Sequence, residues 1–131
     1  MSSPRAKEIA RRLAQLGTVM YGAYWCPHCN SQKSMFGKEA MRSLPYVECA
    51  VDGKDTAAKT PACDALTGYP TWEIDGAQFP GEQSFEEFES ILELIENSRP
   101  GDATPGWTGR YLEELNRRNR KGTVELNDPE S

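Results

Sequence analysis

The chain has 131 residues, which suffice for one domain with a hydrophobic core and are too few for two domains of ordinary size. A hydrophobic share of 37% and a charged share of 27% are typical of a soluble globular protein, and a net charge of −5 argues against a general affinity for nucleic acid or anionic lipid. No apolar run approaches the roughly 18 residues of a membrane helix, and residues 1–17 lack the apolar segment of a secretory signal.

The first half of the chain alternates between helical and strand patterns. Ile9, Leu13 and Leu16 recur at helical spacing before Gly17, and a short stretch rich in β-formers follows. In chain order, these patterns predict a helix over 5–16, a strand over 18–23, a helix over 26–41, a strand over 46–51, and a short helix that begins at 60–61 and is stopped by Gly68.

The second half begins with a hairpin pattern. Asp75 and Gly76 lie between two β-rich runs and are the sequence signal of a type I′ turn, which predicts an antiparallel pair. Ser84 and Glu87 have the spacing of a capping box before an apolar stripe, which predicts an amphipathic helix. The order β-α-β-α-β-β-α after a leading helix therefore predicts an α/β fold with a mixed central sheet flanked by helices.

The composition changes beyond Ser98, where prolines and glycines cluster. Six basic and six acidic residues balance there, so the net charge of the chain belongs to the preceding part. We predict one domain over 1–97 and a partly ordered tail over 98–131. Three residues of the tail fall at helical spacing and would suit a short docking helix: Trp107, Tyr111 and Leu115. The basic run 117–121 is expected to be solvated, with contact to a phosphate or lipid surface as the alternative.

Two of the four cysteines, Cys26 and Cys29, are separated only by Pro27 and by His28, the one histidine of the chain. Such a pair can bind a metal, form a structural disulfide or exchange electrons with other thiols. The pair lies where a predicted strand ends and a predicted helix begins. Few cysteines in a chain of this length, together with this placement, favour redox chemistry over a disulfide scaffold.

The motif WCPHC is followed about forty residues later by GYPTW. Together they resemble the thioredoxin superfamily, in which a cis-proline faces the redox pair, and Pro70 stands where that family places it. The stretches MYGAYWCPHC, FGKEA, YVEC, GYPTWEIDG and GEQSFEEF resemble more closely the thioredoxin-like domain fused to bacterial and plastid homologues of vitamin K epoxide reductase. The resemblance spans about Leu13 to Ile95 and implies a thioredoxin-like fold for the 1–97 domain.

The resemblance implies a protein-disulfide oxidoreductase that needs no metal or organic cofactor. Its partners would be substrate proteins with free thiols and a separate quinone-linked membrane oxidase of the vitamin K epoxide reductase type, because the fused membrane domain is not in this chain. It further implies a location in the periplasm or the thylakoid lumen, although the chain carries no recognisable targeting signal.

The residues of the motif have distinct expected roles. We expect Cys26 to be the exposed nucleophile, because unpaired N–H groups and the dipole at a helix N-terminus favour its thiolate. Cys29, one turn further along, would be the resolving cysteine. His28 would stabilise the thiolate as a local donor, with a solvated surface histidine as the alternative. Pro27 suits the first helical turn, and Pro70 would shape the substrate groove.

Aromatic residues flank the motif and the proline, and we predict a groove there for an unfolded peptide, with core packing as the alternative for some of its members. The residues are Tyr24, Trp25, Tyr69, Thr71 and Trp72.

The remaining cysteines, Cys49 and Cys63, admit two interpretations. With Cys26 and Cys29 they would supply four thiolates for zinc, but structural zinc sites usually combine two closely spaced pairs, and these two cysteines are far apart. We expect instead a second disulfide between Cys49 and Cys63, either structural or relaying electrons. A zinc-held or redox-inert binding module remains the alternative to an enzyme.

The direction of electron flow is the last expectation. A stabilised thiolate at Cys26 favours the reduced form of the pair and so makes its disulfide a stronger oxidant. Thioredoxins have a buried aspartate six residues before the first cysteine, and this chain has Met20 there. We therefore predict a protein dithiol oxidant, with a disulfide reductase or isomerase as the alternative.

Overall fold

The computed structural model of the protein describes residues 1–50 and 61–120. These residues form helices and strands with the following bounds: α1 (Pro4–Gln15), β1 (Val19–Gly22), α2 (Pro27–Phe36), α3 (Lys38–Met41), β2 (Tyr46–Glu48), α4 (Pro61–Asp64), β3 (Thr71–Ile74), β4 (Ala77–Pro80), α5 (Phe85–Ser98) and α6 (Trp107–Arg120). Helices and strands follow one another in the predicted order. The predicted cap at Thr60 lies outside the described residues, and α4 ends at Asp64, before Gly68.

The four strands form one sheet in the order β2-β1-β3-β4. Strand β2 is parallel to β1, whereas β3 runs antiparallel to both β1 and β4. In register, Tyr21 of β1 lies between Val47 of β2 and Thr71 of β3. The sheet is therefore mixed, as predicted.

Alternation along β1 divides the buried side chains between the two faces of the sheet. Met20 lies opposite Trp72 and packs in the larger cluster, together with side chains from α1, α2, α3 and α5. Tyr21 points the other way and packs with Cys49 and Cys63 in a smaller cluster. The main core thus lies between the sheet and four helices, and each large apolar side chain buried there contributes about 1.5–3 kcal/mol.

Aromatic rings hold the centre of this core. The ring centroids of Trp72 and Phe88 are 4.9 Å apart, and those of Phe36 and Phe88 are 5.4 Å apart, with all three side chains fully buried. Phe36 lies in the last turn of α2 and Phe88 in the first turns of α5. The contacts fix the helix that follows the cysteine motif against the sheet.

The single helix predicted over 26–41 is instead two helices, and Gly37 is the reason. Gly37 has a φ of 87°, a left-handed conformation that ends α2 before α3 begins. A Cβ atom there would lie 2.7 Å from the Ser2 hydroxyl oxygen and 2.9 Å from the Met1 carbonyl oxygen. The close passage of the N-terminal residues therefore requires glycine at this position.

The two turn signals of the second half are confirmed. Asp75 and Gly76 both have positive φ values, 49° and 83°, as a type I′ turn requires, and join β3 to β4. At the start of α5, the Ser84 hydroxyl accepts a hydrogen bond from the Glu87 N–H, and the Glu87 carboxylate accepts one from the Ser84 N–H. This capping box starts the helix that covers the core.

Helix α6 is anchored by the buried side chain of Asp75. Its carboxylate accepts hydrogen bonds from the N–H groups of Gly106 and Thr108, at 2.8 and 3.0 Å. The Thr108 hydroxyl and the Arg99 guanidinium also donate to it, at 2.7 and 2.8 Å. The helix packs on the edge strand β4, and a domain boundary at Ser98 stays a prediction.

Candidate active site

The cysteine motif occupies the connection between β1 and α2. Cys26 is the N-cap residue of α2, Pro27 stands at the start of the helix, and the Cys26 carbonyl accepts a hydrogen bond from the Asn30 N–H at 3.1 Å. The first N–H groups of the helix lack intrahelical partners, and their dipoles favour negative charge nearby. The Cys26 side chain is therefore at the end of α2 that favours a thiolate.

Cys26 lies beside the segment that carries the cis-proline. Its thiol donates to the Tyr69 carbonyl oxygen at 3.7 Å, and the Tyr69–Pro70 peptide bond is cis. The structure thus brings the first cysteine and the predicted proline segment together. Cys26 is only 7% exposed, so the expectation of an openly exposed nucleophile is wrong. The Tyr69 segment and the core side chains around it enclose the sulfur.

Cys29 is the deeper member of the pair and is fully buried. Burial raises the pKa of its thiol to about 11, and the neighbouring Cys26 adds to this, whereas a hydrogen bond from the Ala23 N–H and the charge of Lys33 act in the opposite direction. Both cysteines are free thiols in this structure. At neutral pH, Cys29 is therefore protonated whenever the pair is reduced.

His28 is largely exposed and faces a carboxylate that the sequence did not indicate. Its Nδ1 lies 3.2 Å from Glu82 Oε1, while the Ser31 hydroxyl donates to Glu82 Oε2 at 2.7 Å. The hydrogen bond from Ser31, together with His28, lowers the pKa of Glu82. The two contacts join the first turns of α2 to the segment after β4.

Gln32 is a second residue that the sequence analysis missed. Its side chain is fully buried, and its Oε1 accepts hydrogen bonds from Trp72 Nε1 at 3.0 Å and from the Gln83 N–H at 2.8 Å. Its Nε2 donates to the Gln83 carbonyl at 2.9 Å. A glutamine on the buried face of a helix is the only sequence signal for this arrangement. Gln32 holds α2 to both β3 and the Glu82 segment.

Part of the predicted groove is accessible. Tyr24 is 54% exposed and Trp25 is 42% exposed, next to the Cys26 thiol in sequence. The Trp25 ring contacts the Tyr69 ring edge to face, with centroids 6.3 Å apart. Two of the predicted groove residues are thus exposed beside the motif, and one of them contacts the Tyr69 ring.

Two of the predicted groove residues lie elsewhere. Trp72 is fully buried in the main core, on the face of the sheet that the helices cover. Thr71 is 2% exposed, and its hydroxyl donates to the Gly68 carbonyl at 2.8 Å. Their assignment to an accessible groove is wrong, because both side chains are enclosed by the packing around β3.

Cys49 and Cys63 form a disulfide, in agreement with the sequence prediction. Both are buried in the smaller cluster, on the other face of the sheet from Met20. Because these sulfurs are bonded to each other, they do not provide thiolates to a zinc site shared with Cys26 and Cys29. Within residues 1–50 and 61–120, no group of three or more His, Cys, Asp or Glu side chains is arranged to hold a metal ion.

A mixed sheet flanked by helices, with a Cys-Pro-His-Cys motif at the start of a helix and a cis-proline beside it, defines a thioredoxin-like fold. Over 84 residues the chain is 48% identical to a protein of Arabidopsis thaliana named thiol-disulfide oxidoreductase LTO1. The match covers 62% of this chain and 22% of that protein, so the chain spans about a fifth of the length of this curated relative. No protein-family model matches the chain. In the part of the chain that the structure describes, each helix is too short or too polar to cross a membrane.

Proposed function

We propose that this protein is a thiol-disulfide oxidoreductase in which Cys26 exchanges disulfides with substrates and Cys29 resolves the mixed disulfide. The observation that carries the proposal is the position of the Cys26 thiol, at the N-terminus of α2 and 3.7 Å from the Tyr69 carbonyl. Cys29 follows one turn later and is fully buried. The similarity to a thiol-disulfide oxidoreductase supports the same chemistry.

The reaction balances as two thiol-disulfide exchanges. A substrate thiolate attacks Cys26 Sγ in the Cys26–Cys29 disulfide, and Cys29 leaves as a thiolate that takes up a proton. A second substrate thiolate then attacks the substrate sulfur of the mixed disulfide, and Cys26 leaves as a thiolate. The substrate gains a disulfide and loses two electrons, which the cysteine pair now holds.

The surroundings of Cys26 suit an extended peptide. Tyr24, Trp25 and Tyr69 offer aromatic contact area around the sulfur. Because Cys26 is 7% exposed, a cysteine held against this surface is better placed to react than a free small thiol. Pro70 and the Tyr69 backbone would form the other side of the groove.

The direction we propose is oxidation of substrate proteins. The N-terminus of α2 favours the Cys26 thiolate, and Pro27 begins the helix without leaving an unused N–H group. His28 would add positive charge near the sulfur when protonated. A thiolate stabilised in this way favours the reduced pair and makes the disulfide a good oxidant. We further propose reoxidation by a quinone-linked membrane oxidase of the vitamin K epoxide reductase type, in the periplasm or thylakoid lumen.

The test is thiol oxidation of a reduced cysteine-containing peptide, followed by mass spectrometry. The oxidised protein should form the peptide disulfide, and Cys26→Ser should abolish this activity. As a matched control, the double variant Cys49→Ser, Cys63→Ser removes the other pair and should retain peptide oxidation. Activity in Cys26→Ser would contradict the proposal. Equilibration with glutathione tests the direction, because a potential as low as that of thioredoxin, about −270 mV, would contradict the oxidant role.

One observation favours a second function, that of a redox-inert binding module. The low exposure of Cys26 would protect its thiol from reagents. Thiol titration of the folded protein, with and without prior reduction, separates the two functions, and a metal assay of the same sample tests the zinc-held form. An oxidoreductase gains two reactive thiols on mild reduction, whereas an inert module gains none.

A further inference from the structure

In the proposed disulfide exchange, the buried thiol of Cys29 has to lose and regain a proton. The inference that follows rests on that proposed function. Closing the Cys26–Cys29 disulfide requires the Cys29 thiol to lose a proton, and opening it requires the thiolate to regain one. With a pKa of about 11, caused mainly by burial, the Cys29 thiol is almost entirely protonated at pH 7. A nearby group that accepts the Cys29 proton and returns it would allow the disulfide to close and open at neutral pH.

Gly22, the last residue of β1, brings such a group near. A Cβ atom on Gly22 would lie 2.9 Å from Cys29 Sγ and 3.1 Å from the hydroxyl oxygen of Tyr46. The sulfur and the hydroxyl oxygen therefore border the same small space and lie within about 6 Å of each other, a separation that one bridging water can span. Tyr46 belongs to β2, which pairs with β1 in parallel.

The hydroxyl of Tyr46 is in turn connected to a carboxylate. It donates to Glu48 Oε1 at 3.0 Å, and both side chains project from the same face of β2 because they are two residues apart. The other carboxylate oxygen accepts hydrogen bonds from the N–H groups of Tyr24 and Ala50, at 2.9 and 3.1 Å. These bonds hold the Glu48 carboxylate between the motif segment and the end of β2, in a half-buried position that water reaches.

Among residues 1–50 and 61–120, the charged and titratable groups that act on Cys29 come from two elements. Cys26 and Lys33 face it from α2, and Tyr46 faces it from β2. Lys33 Nζ lies 3.7 Å from the centroid of the Tyr46 ring, so its positive charge is next to both the ring and the cysteine. Burial, followed by the bond to Glu48, raises the pKa of Tyr46, so its hydroxyl carries its proton at neutral pH.

We propose that Tyr46 and Glu48 form a proton path for Cys29. As Cys29 attacks Cys26 in a mixed disulfide, its proton moves to the Tyr46 hydroxyl, directly or through one water, while the hydroxyl proton moves to the Glu48 carboxylate. The Cys26–Cys29 bond forms, the bond from Cys26 to the partner sulfur breaks, and the partner leaves as a thiolate. In the opposite direction the path returns the proton to the departing Cys29 thiolate, and Glu48 exchanges it with solvent.

The test follows the two steps separately, by stopped flow with the reduced protein and an aromatic disulfide whose thiolate absorbs light. The first aromatic thiolate is released when Cys26 attacks the aromatic disulfide. The second is released when Cys29 attacks Cys26 and closes the Cys26–Cys29 disulfide. In Tyr46→Phe and in Glu48→Gln, the first release should stay within twofold, and the second should slow about ten- to a hundredfold at pH 7. The slowing should fade towards pH 11, where hydroxide ionises Cys29 without help.

The matched control is Tyr21→Phe, which removes another hydroxyl bonded to a glutamate, Glu73, but on the other face of β1. It should leave both releases unchanged. Equal second-release rates in wild type, Tyr46→Phe and Glu48→Gln would overturn the proton path while leaving the oxidoreductase function intact. If the second release were slowed equally at all pH values, the proton path would also be overturned, because such slowing would reflect a change of structure alone. Absence of the first release in the wild type would overturn both proposals.

Discussion

The thiol of Cys26 and the carbonyl oxygen of Tyr69 are 3.7 Å apart, although 43 residues separate them in the chain. The contact joins the start of α2 to the strand end at the cis-proline. It places a backbone acceptor, the Cys26 sulfur and the aromatic ring of Tyr69 in one small area. In the proposed exchange, a substrate cysteine that reached Cys26 would lie along this segment.

A Cys29→Ser variant should trap substrates. Without a resolving thiol, the reduced variant can still attack a disulfide through Cys26 but cannot release the resulting mixed disulfide internally. Mass spectrometry of the variant mixed with an oxidised cysteine-containing peptide should show a stable one-to-one adduct. The wild type should show little adduct, and the combined variant Cys26→Ser, Cys29→Ser should show none. An adduct on Cys49 or Cys63 would contradict the assigned roles.

A Gln32→Ala variant should destabilise the protein by about 2–4 kcal/mol, because it leaves the Trp72 indole N–H and the backbone groups of Gln83 without their buried partner. Urea unfolding measures the loss. Gln83→Ala is the matched control, since it removes only side-chain bonds at the surface, and it should cost under about 1 kcal/mol. Equal losses of stability in the two variants would show that the buried hydrogen bonds of Gln32 do not stabilise the protein.

Asp75 should make stability depend on pH. Burial alone would raise its pKa, but the bonds from Thr108, Arg99 and Gly106 outweigh burial and lower it. The pKa of Asp75 in the folded protein is below its value of about 3.9 in the unfolded chain. The carboxylate therefore stabilises the fold above about pH 4, and this stabilisation is lost as the pH falls through the folded pKa. Chemical unfolding between pH 3 and pH 7 should show this decline.

Asp75→Asn should weaken this decline and cost about 2–3 kcal/mol at pH 7, because an amide cannot accept all of the bonds that the carboxylate accepts. Asp102→Asn, at an exposed position of the connection between α5 and α6, is the control and should change stability by under about 0.5 kcal/mol. An unchanged pH profile in Asp75→Asn would show that other groups cause the acid sensitivity.

Removing the Cys49–Cys63 disulfide should lower the free energy of unfolding by about 3 kcal/mol, the value for a loop of similar length to the 14-residue separation of these cysteines. Denaturant unfolding of Cys49→Ala, Cys63→Ala measures this loss. If the bond is structural, the first thiolate release by Cys26 should persist in the folded variant. Loss of that release with retained folding would indicate that the second pair relays electrons.

Features that depend on neighbouring residues could be predicted from the sequence. The Ser84–Glu87 capping box and the Asp75–Gly76 turn each involve residues at most three positions apart, and both form as expected. The start of α2 at the cysteine motif is equally local. The mixed sheet could be predicted because the order of helices and strands restricts the possible connections.

The side-chain contacts of His28 and Gln32 depend on distant residues and could not be predicted. His28 and Glu82 are 54 positions apart, and Gln32 and Gln83 are 51 apart, so no local pattern links them. The sequence predicts a groove position for Trp72 because it lies near the proline, yet strand pairing places it opposite Met20 on the helix-covered face. Side-chain alternation along β3 decides its burial, and that alternation has meaning only once the faces of the sheet are known.

Tyr69 packs against both buried clusters, the one that contains Cys26 and the one that contains the Cys49–Cys63 disulfide. Its ring thus serves as a spacer between two sulfur pairs, while its carbonyl oxygen sits beside the thiol. A change of packing around the disulfide would therefore alter the contacts of Tyr69, and with them the surroundings of Cys26, with no electron having to pass. The mechanical and the chemical connections between the two pairs are therefore separable.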